Sequence, residues 1–217
     1  MSEFEKKYLE SAQRRFAEHI EKTPEYVVQQ IHRDDDIVKL WRCGKPQSST
    51  YMFYICSAPN CLMVYGDMGE YMWQYMRQRH YDMLPFIRGA IGSLSYFSEK
   101  VPNGIKIKDD QPELVEEWFA TVKQERIDYG EEWTDKKEEA LSELRDTWSC
   151  NEDVTQFKWA LYDSDLYNDH EDVPRTEFYT FHYLWTIEGL KWFIKQLDEG
   201  KVLPYVEKEK EAKTDDT

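Results

Sequence analysis

The sequence predicts an α+β protein in which a small antiparallel β-meander packs against several α-helices and the C-terminal half is mainly helical and acidic. Three observations carry this. Residues 37–75 are rich in β-branched and aromatic side chains broken by turn formers. The flanking segments repeat apolar residues at helical spacing. Charge is uneven: residues 1–100 hold 13 basic and 13 acidic side chains, whereas 101–217 hold 15 and 30 and carry the whole net charge of −15.

In chain order, Ser2-x-x-Glu5 has the capping-box pattern, and Phe4, Tyr8, Ala12, Phe16 and Ile20 give an amphipathic helix to about residue 22. Thr23-Pro24 then reads as the start of a short helix over Tyr26–Ile31, ending before Asp34-Asp35-Asp36. Strands are expected at Ile37–Arg42, Thr50–Cys56, Leu62–Tyr65 and Glu70–Tyr75, with turns at Pro59-Asn60 and Gly66-Asp67-Met68-Gly69. Helix returns over Leu84–Lys100, where Gly89 and Gly92 suggest close packing on the sheet.

Asp110-x-x-Glu113 is expected to open a helix to Arg126 with Leu114, Trp118 and Val122 inward. Another spans Thr134–Trp148 on Ala140, Leu141 and Leu144, and a third starts at Asn151 and carries Val154, Phe157, Trp159 and Leu161. A polar loop covers Tyr162–Thr176. Glu177–Leu197 is apolar nearly all round and reads as a central helix, although Thr176–Ile187 also has the composition of a strand. Residues 1–205 read as one domain, neutral over 1–105 and acidic over 106–205, and the charged tail 206–217 reads as disordered.

The chain is long enough to bury a core without disulfides or metals, and its 8 Trp and 15 Tyr give each buried side chain a large apolar area. No run approaches the roughly 18–20 apolar residues of a membrane span, and no signal pattern opens the chain, so a cytoplasmic protein with no membrane partner is expected. Cys43, Cys56, Cys61 and Cys150 include no Cys-x-x-Cys pair and read as free thiols. The acidity argues against direct nucleic-acid binding, which depends on Lys and Arg displacing counterions from phosphate.

The strongest candidate site is the acidic surface. Asp109, Asp110, Glu113, Glu116, Glu117, Glu131, Glu132, Glu138 and Glu139, with Glu125, Asp128, Glu143 and Asp146 in the same span, are left by the apolar pattern on the outer faces of two consecutive helices. Carboxylates so spaced approximate the charge array of a nucleic acid and suit the basic groove of a protein or protein–nucleic-acid complex. The alternative is a solvated surface that keeps the protein soluble.

Other constellations are weaker. Asp163-x-Asp165-x-Tyr167-Asn168-Asp169 starts like a calcium loop but lacks the glycine and closing glutamate. Asp34-Asp35-Asp36 reads as a turn rather than a magnesium site. Cys56, Cys61, His80 and His182 have no local signature of a Cys–His pair or zinc site; the two cysteines read as packed thiols and His182 as a core histidine. Nucleotide-binding and hydrolase motifs are absent, so no catalytic residue, metal or cofactor is expected. Asp67, between two glycines, is the alternative ligand-binding candidate, for a site beside the Gly66–Gly69 turn that binds a nucleotide or other small-molecule signal or acts on one as an enzyme.

The strand and turn Leu62-Met63-Val64-Tyr65-Gly66-Asp67-Met68-Gly69-Glu70, the segment Ser95-Tyr96-Phe97-x-x-Lys100, and Leu184-Trp185-x-Ile187-x-Gly189-Leu190-x-Trp192-x-Ile194-x-Gln196-x-Asp198 resemble an uncharacterised family of phage and prophage proteins. The resemblance implies a phage accessory protein. That setting includes acidic inhibitors of host defence, among them DNA mimics and anti-CRISPR proteins, as well as virion or assembly components. It supplies no catalytic residues. The expectation is a non-enzymatic inhibitor that meets its host target through protein–protein interaction.

Overall fold

The computed structural model describes residues 1–31, 38–75, 82–167 and 173–205. Asp34–Asp36, His80, Asn168, Asp169 and the expected tail lie outside them. The architecture is α+β, with seven helices and eight strands among the described residues. The chain divides into two compact units: Met1–Tyr8 with Lys108–Thr180, and Leu9–Ile107 with Phe181–Thr217. The expected neutral and acidic parts differ from these units in two respects. The first eight residues group with the acidic segment, and everything from Phe181 onward groups with the meander.

Helix α1 (Glu3–Lys22) starts as the capping box requires. The Glu5 carboxylate accepts the Ser2 N–H at 2.9 Å and Ser2 Oγ accepts the Glu5 N–H at 3.1 Å.

The sheet unit is built on β1 (Val27–Gln30), β2 (Lys39–Gly44), β3 (Phe53–Ala58), β4 (Cys61–Gly66), β5 (Tyr71–Gln74) and β8 (Val202–Pro204), in the order β5-β4-β3-β2-β1-β8. Neighbours pair antiparallel except β1 and β8, which run parallel. The expected helix over Tyr26–Ile31 is therefore a turn and a strand. Tyr26 N–H bonds to the Thr23 carbonyl, β-branched Val27 pairs with Gly44, and Val28 pairs on both sides with Cys43 and Val202, a gain that a helix of about two turns cannot match.

Both expected turns are in place. Ala58 faces Cys61 across Pro59-Asn60, with Asn60 at φ 58°, a left-handed conformation that asparagine tolerates. Gly66 adopts φ +139°, and a Cβ there would lie 2.5 Å from the Met52 carbonyl oxygen, so only glycine fits.

One sheet face is buried through Trp41, Phe53, Ile55, Leu62, Val64 and Trp73. The central helix α7 (Phe181–Asp198) packs on it, with Phe193 5.1 Å from Trp41 and Tyr183 5.4 Å from Tyr71, ring to ring. Gly189 allows the close approach, since a Cβ there would meet Met68 Cε at 2.5 Å. The helix expected over Leu84–Lys100 is two short ones, α2 (Leu84–Ala90) and α3 (Leu94–Ser98), broken at Ile91–Ser93. Gly89 and Gly92 have nothing within 4 Å of an added Cβ, so they mark the break and not a packing contact.

In the acidic unit, α4 (Pro112–Asp128), α5 (Asp135–Asn151) and α6 (Val154–Tyr162) surround a core of Val115, Phe119, Val122, Leu141, Leu144, Trp148, Phe157 and Leu161. Phe157 meets Trp118, Phe119 and Trp148 edge-on, at 5.3, 5.5 and 5.9 Å. Thr134 and Asp153 cap α5 and α6 by accepting N–H bonds from Lys137 and Gln156. The N-cap of α4 is Gln111 rather than Asp110, with Pro112 in the first turn. Asp110 instead belongs to β6 (Lys108–Asp110), which pairs antiparallel with β7 (Glu177–Tyr179), so Lys108 faces Tyr179. The helix expected from Glu177 thus begins only at Phe181.

Candidate functional site

The structural division sharpens the charge asymmetry. Of the 43 acidic and 28 basic residues, the acidic unit holds 24 and 10, a net charge of −14, and the sheet unit holds 19 and 18, a net charge of −1. All nine sequence-selected carboxylates fall in the acidic unit.

Five of the nine have structural partners. Asp110 accepts from Lys158 at 3.1 Å and from Thr176 at 2.5 Å. Glu116 accepts the Trp148 indole N–H, and Glu117 accepts the Phe4 backbone N–H at 3.1 Å. Glu131 bridges Lys137 and the buried Arg126, which also donates to the Leu166 carbonyl at 2.7 Å. Lys137 and Arg126 hold the Glu131 carboxyl below its usual range. Glu138 takes a 2.7 Å bond from Lys123 and a 2.6 Å bond from the Trp133 indole, and both lower its pKa. Asp109 is exposed and accepts the Asp110 N–H. The remaining three, Glu113, Glu132 and Glu139, face solvent without an ion pair among the described residues.

Glu139 belongs to a feature that the nine selected residues do not contain. Asp135, Glu139, Glu143 and Asp146 follow one another at i, i+4, i+8 and i+11 along α5, all exposed and none ion-paired among the described residues. Steps of four residues place a carboxylate about every 6 Å along the helix axis. This is roughly half the linear charge density of one DNA strand, which has a charge per about 3.4 Å. Like charges at this spacing cost a helix roughly 0.2–0.5 kcal/mol per pair. The stripe does nothing for the core on the opposite side of α5, where Ala140, Leu141, Leu144 and Trp148 are buried.

Two further features of the same unit can receive a cationic partner. Trp159, grouped by the sequence pattern with Val154, Phe157 and Leu161, is 67% exposed, because those three define the buried side of α6 and Trp159 points away from it. Its ring meets Tyr162 edge-on at 6.1 Å, and Tyr129 at the end of α4 is 92% exposed. Exposed Trp and Tyr are the residue types that anchor interfaces and stack on guanidinium groups. A groove of about 660 Å³ is lined by Glu5, Glu117, Glu125, Trp118 and Arg175, among others. The buried Glu5 carboxylate lies 3.6 Å from Arg175.

Asp67 is exposed and its N–H bonds to the Met52 carbonyl. The turn around it places Met68 in the core against Gly189, and Gly66 and Gly69 adopt φ +139° and +106° on either side. His182 is exposed rather than packed: it stands in the first turn of α7, while Thr186, Gly189 and Phe193 further along the same stripe are buried. All four cysteines are free. Burial raises the Cys56 and Cys61 thiols, which weakens them as nucleophiles. Among the described residues no three His, Cys, Asp or Glu side chains group as a metal site, and no helix is long and apolar enough to cross a membrane. Compared with protein families, curated proteins and solved structures, the chain shows no match.

Proposed function

We propose that this chain is a phage-encoded, non-enzymatic inhibitor of a host nucleic-acid-directed defence system, and that its acidic unit occupies a basic groove which the target otherwise offers to nucleic acid. One observation carries the reading: nearly the whole net charge resides in one unit of the fold, and four of its carboxylates without an ion pair among the described residues run as a stripe along α5. Such a field steers a cationic partner into encounter and repels nucleic acid. Arg and Lys of the target pair with Glu139, Glu143 and Asp146, and Trp159 offers a face on which an arginine stacks. The resemblance to phage and prophage proteins supports the host setting.

The test is a plaque assay on bacteria that carry an RNA-guided DNA-cleaving system, with and without this chain. Wild type is expected to restore plaques and the Glu139→Lys/Glu143→Lys/Asp146→Lys triple variant is not, and raised salt is expected to weaken the purified complex. A triple variant as active as wild type would refute the reading. Glu116 and Glu117 are unsuited to this test because they hold Trp148 and the start of α1.

A further inference from the structure

The outer face of the six-stranded sheet carries a concentration of sulfur. Strand alternation turns Phe53, Ile55, Ser57, Leu62, Val64, Tyr71 and Trp73 inward, where all are buried. The intervening residues Cys56, Cys61, Met63 and Met72 face the other way and are half-exposed. The register brings these four together: Cys56 lies directly opposite Met63, Met63 lies directly opposite Met72, and Cys61 precedes Met63 by two residues on the same strand and face. The next register pair on one side is Tyr54 and Tyr65, whose rings stack at 5.0 Å, and the pair on the other side is Ala58 and Cys61.

We propose that Cys56, Cys61 and Met63 form a binding site for one soft monovalent metal ion of the copper(I) class, with Met72 as an additional thioether within reach. Directly opposed residues have Cβ atoms about 4.5–5.5 Å apart, and same-face neighbours on a strand lie about 6.8 Å apart. Cys56 and Cys61 are diagonal neighbours about 7–8 Å apart, with Cβ atoms somewhat closer, and Met63 stands beside both, so the site requires the rotamers that turn the three sulfur atoms toward one centre. Two thiols with thioethers are a soft donor set, which selects copper(I) over the hard cations that prefer oxygen. No imidazole or carboxylate joins the group, so the nitrogen and oxygen ligands that commonly complete a zinc site are missing from the described residues around it. On binding, each thiol gives its proton to solvent and each sulfur donates an electron pair to the metal. Copper remains in the +1 state throughout, so no oxidant or reductant is consumed. The site belongs to the sheet unit and does not depend on the proposed inhibitory role.

The test uses the full chain, reduced and under anaerobic conditions, with Cys150→Ser to remove the exposed competing thiol. Copper(I) is presented as its bathocuproine disulfonate complex. The protein is expected to withdraw one equivalent, with an ultraviolet thiolate-to-copper band and an X-ray absorption spectrum showing sulfur neighbours only. Cys56→Ser/Cys61→Ser is expected to withdraw none. Met63→Leu, which keeps the side-chain volume, is expected to weaken retention on the order of 10–100-fold with an unchanged circular dichroism spectrum. Failure to withdraw copper, retention by the double serine variant, or preferential uptake of zinc(II) by the same residues would each overturn the proposal.

Discussion

Replacing Glu143 by lysine is expected to make the protein more stable while weakening the proposed binding of a basic partner. Glu143 is exposed at the middle of α5, where neither helix end matters, and Glu and Lys have similar helix propensities. Its neighbours on the helix surface are Glu139 at i−4 and Asp146 at i+3, both acidic and both without an ion pair among the described residues. Reversal removes two repulsions and creates two attractions, each worth about 0.2–0.5 kcal/mol, for a total gain of about 0.8–2 kcal/mol. The new pair between Glu139 and the introduced lysine has the more favourable orientation, with the acid N-terminal to the base. In a chain of this size the gain corresponds to roughly 2–8 °C in Tm. Urea titration followed by circular dichroism, with thermal melts alongside, measures it. In about 1 M salt, where the screening length falls to about 3 Å, most of the gain should vanish, and Glu143→Gln should give about half of it. A neutral or destabilising Glu143→Lys, or a gain that survives high salt, would show that the stripe is not an array of mutually repelling carboxylates.

Two other perturbations test the framework around the stripe. Glu131→Gln removes the carboxylate charge that bridges the buried Arg126 and Lys137 and is expected to cost about 1.5–3 kcal/mol in urea unfolding. Because the Glu131 pKa is depressed in the folded protein, its contribution is complete above the unfolded carboxyl value of about 4.3 and is lost as pH falls through the lower folded value. The acid limb of the wild-type stability profile should therefore be steeper than that of Glu131→Gln, and superimposable limbs would contradict the bridge. Gly66→Ala places a Cβ against two backbone atoms, at 2.5 and 2.8 Å, and at a φ of +139°. A loss of about 2–5 kcal/mol is expected from strain and overpacking together, and a loss below about 0.5 kcal/mol would mean that the turn relaxes freely.

What the sequence discloses here follows the range of the forces involved. The α1 capping box, the four meander strands, the two turns and the inward residues of α5 depend on neighbours a few positions away, and each is legible in the local pattern. Strands β1, β6, β7 and β8 have three or four residues each and exist because of distant partners, such as Val28 against Val202 or Asp109 against Phe178. Composition cannot announce such pairings, and Val27-Val28 beside Thr23-Pro24 imitates a helix start. Counting apolar residues instead of angles misplaces Trp159. Val154, Phe157 and Leu161 share one side of α6, and a residue five positions after Val154 lies well off it.

The acidic region is legible as a region, but its division into paired and unpaired carboxylates is not. Glu116 is engaged by an indole 32 positions later, and Glu117 by a backbone amide 113 positions earlier. The signal that identifies the stripe, the four-residue recurrence Asp135, Glu139, Glu143, is present in the sequence and is diluted there by the other acids around it.

The β6–β7 pair acts as a clasp. The backbone leaves for the acidic helices at Lys108 and comes back at Tyr179, directly opposite its point of departure. An excursion anchored in this way behaves as a cassette: its two ends meet whatever lies between them, and extra length within it adds only a logarithmic closure penalty. The Lys108–Tyr179 register thus fixes where the acidic helices start and finish, whatever outward carboxylates α5 carries between them.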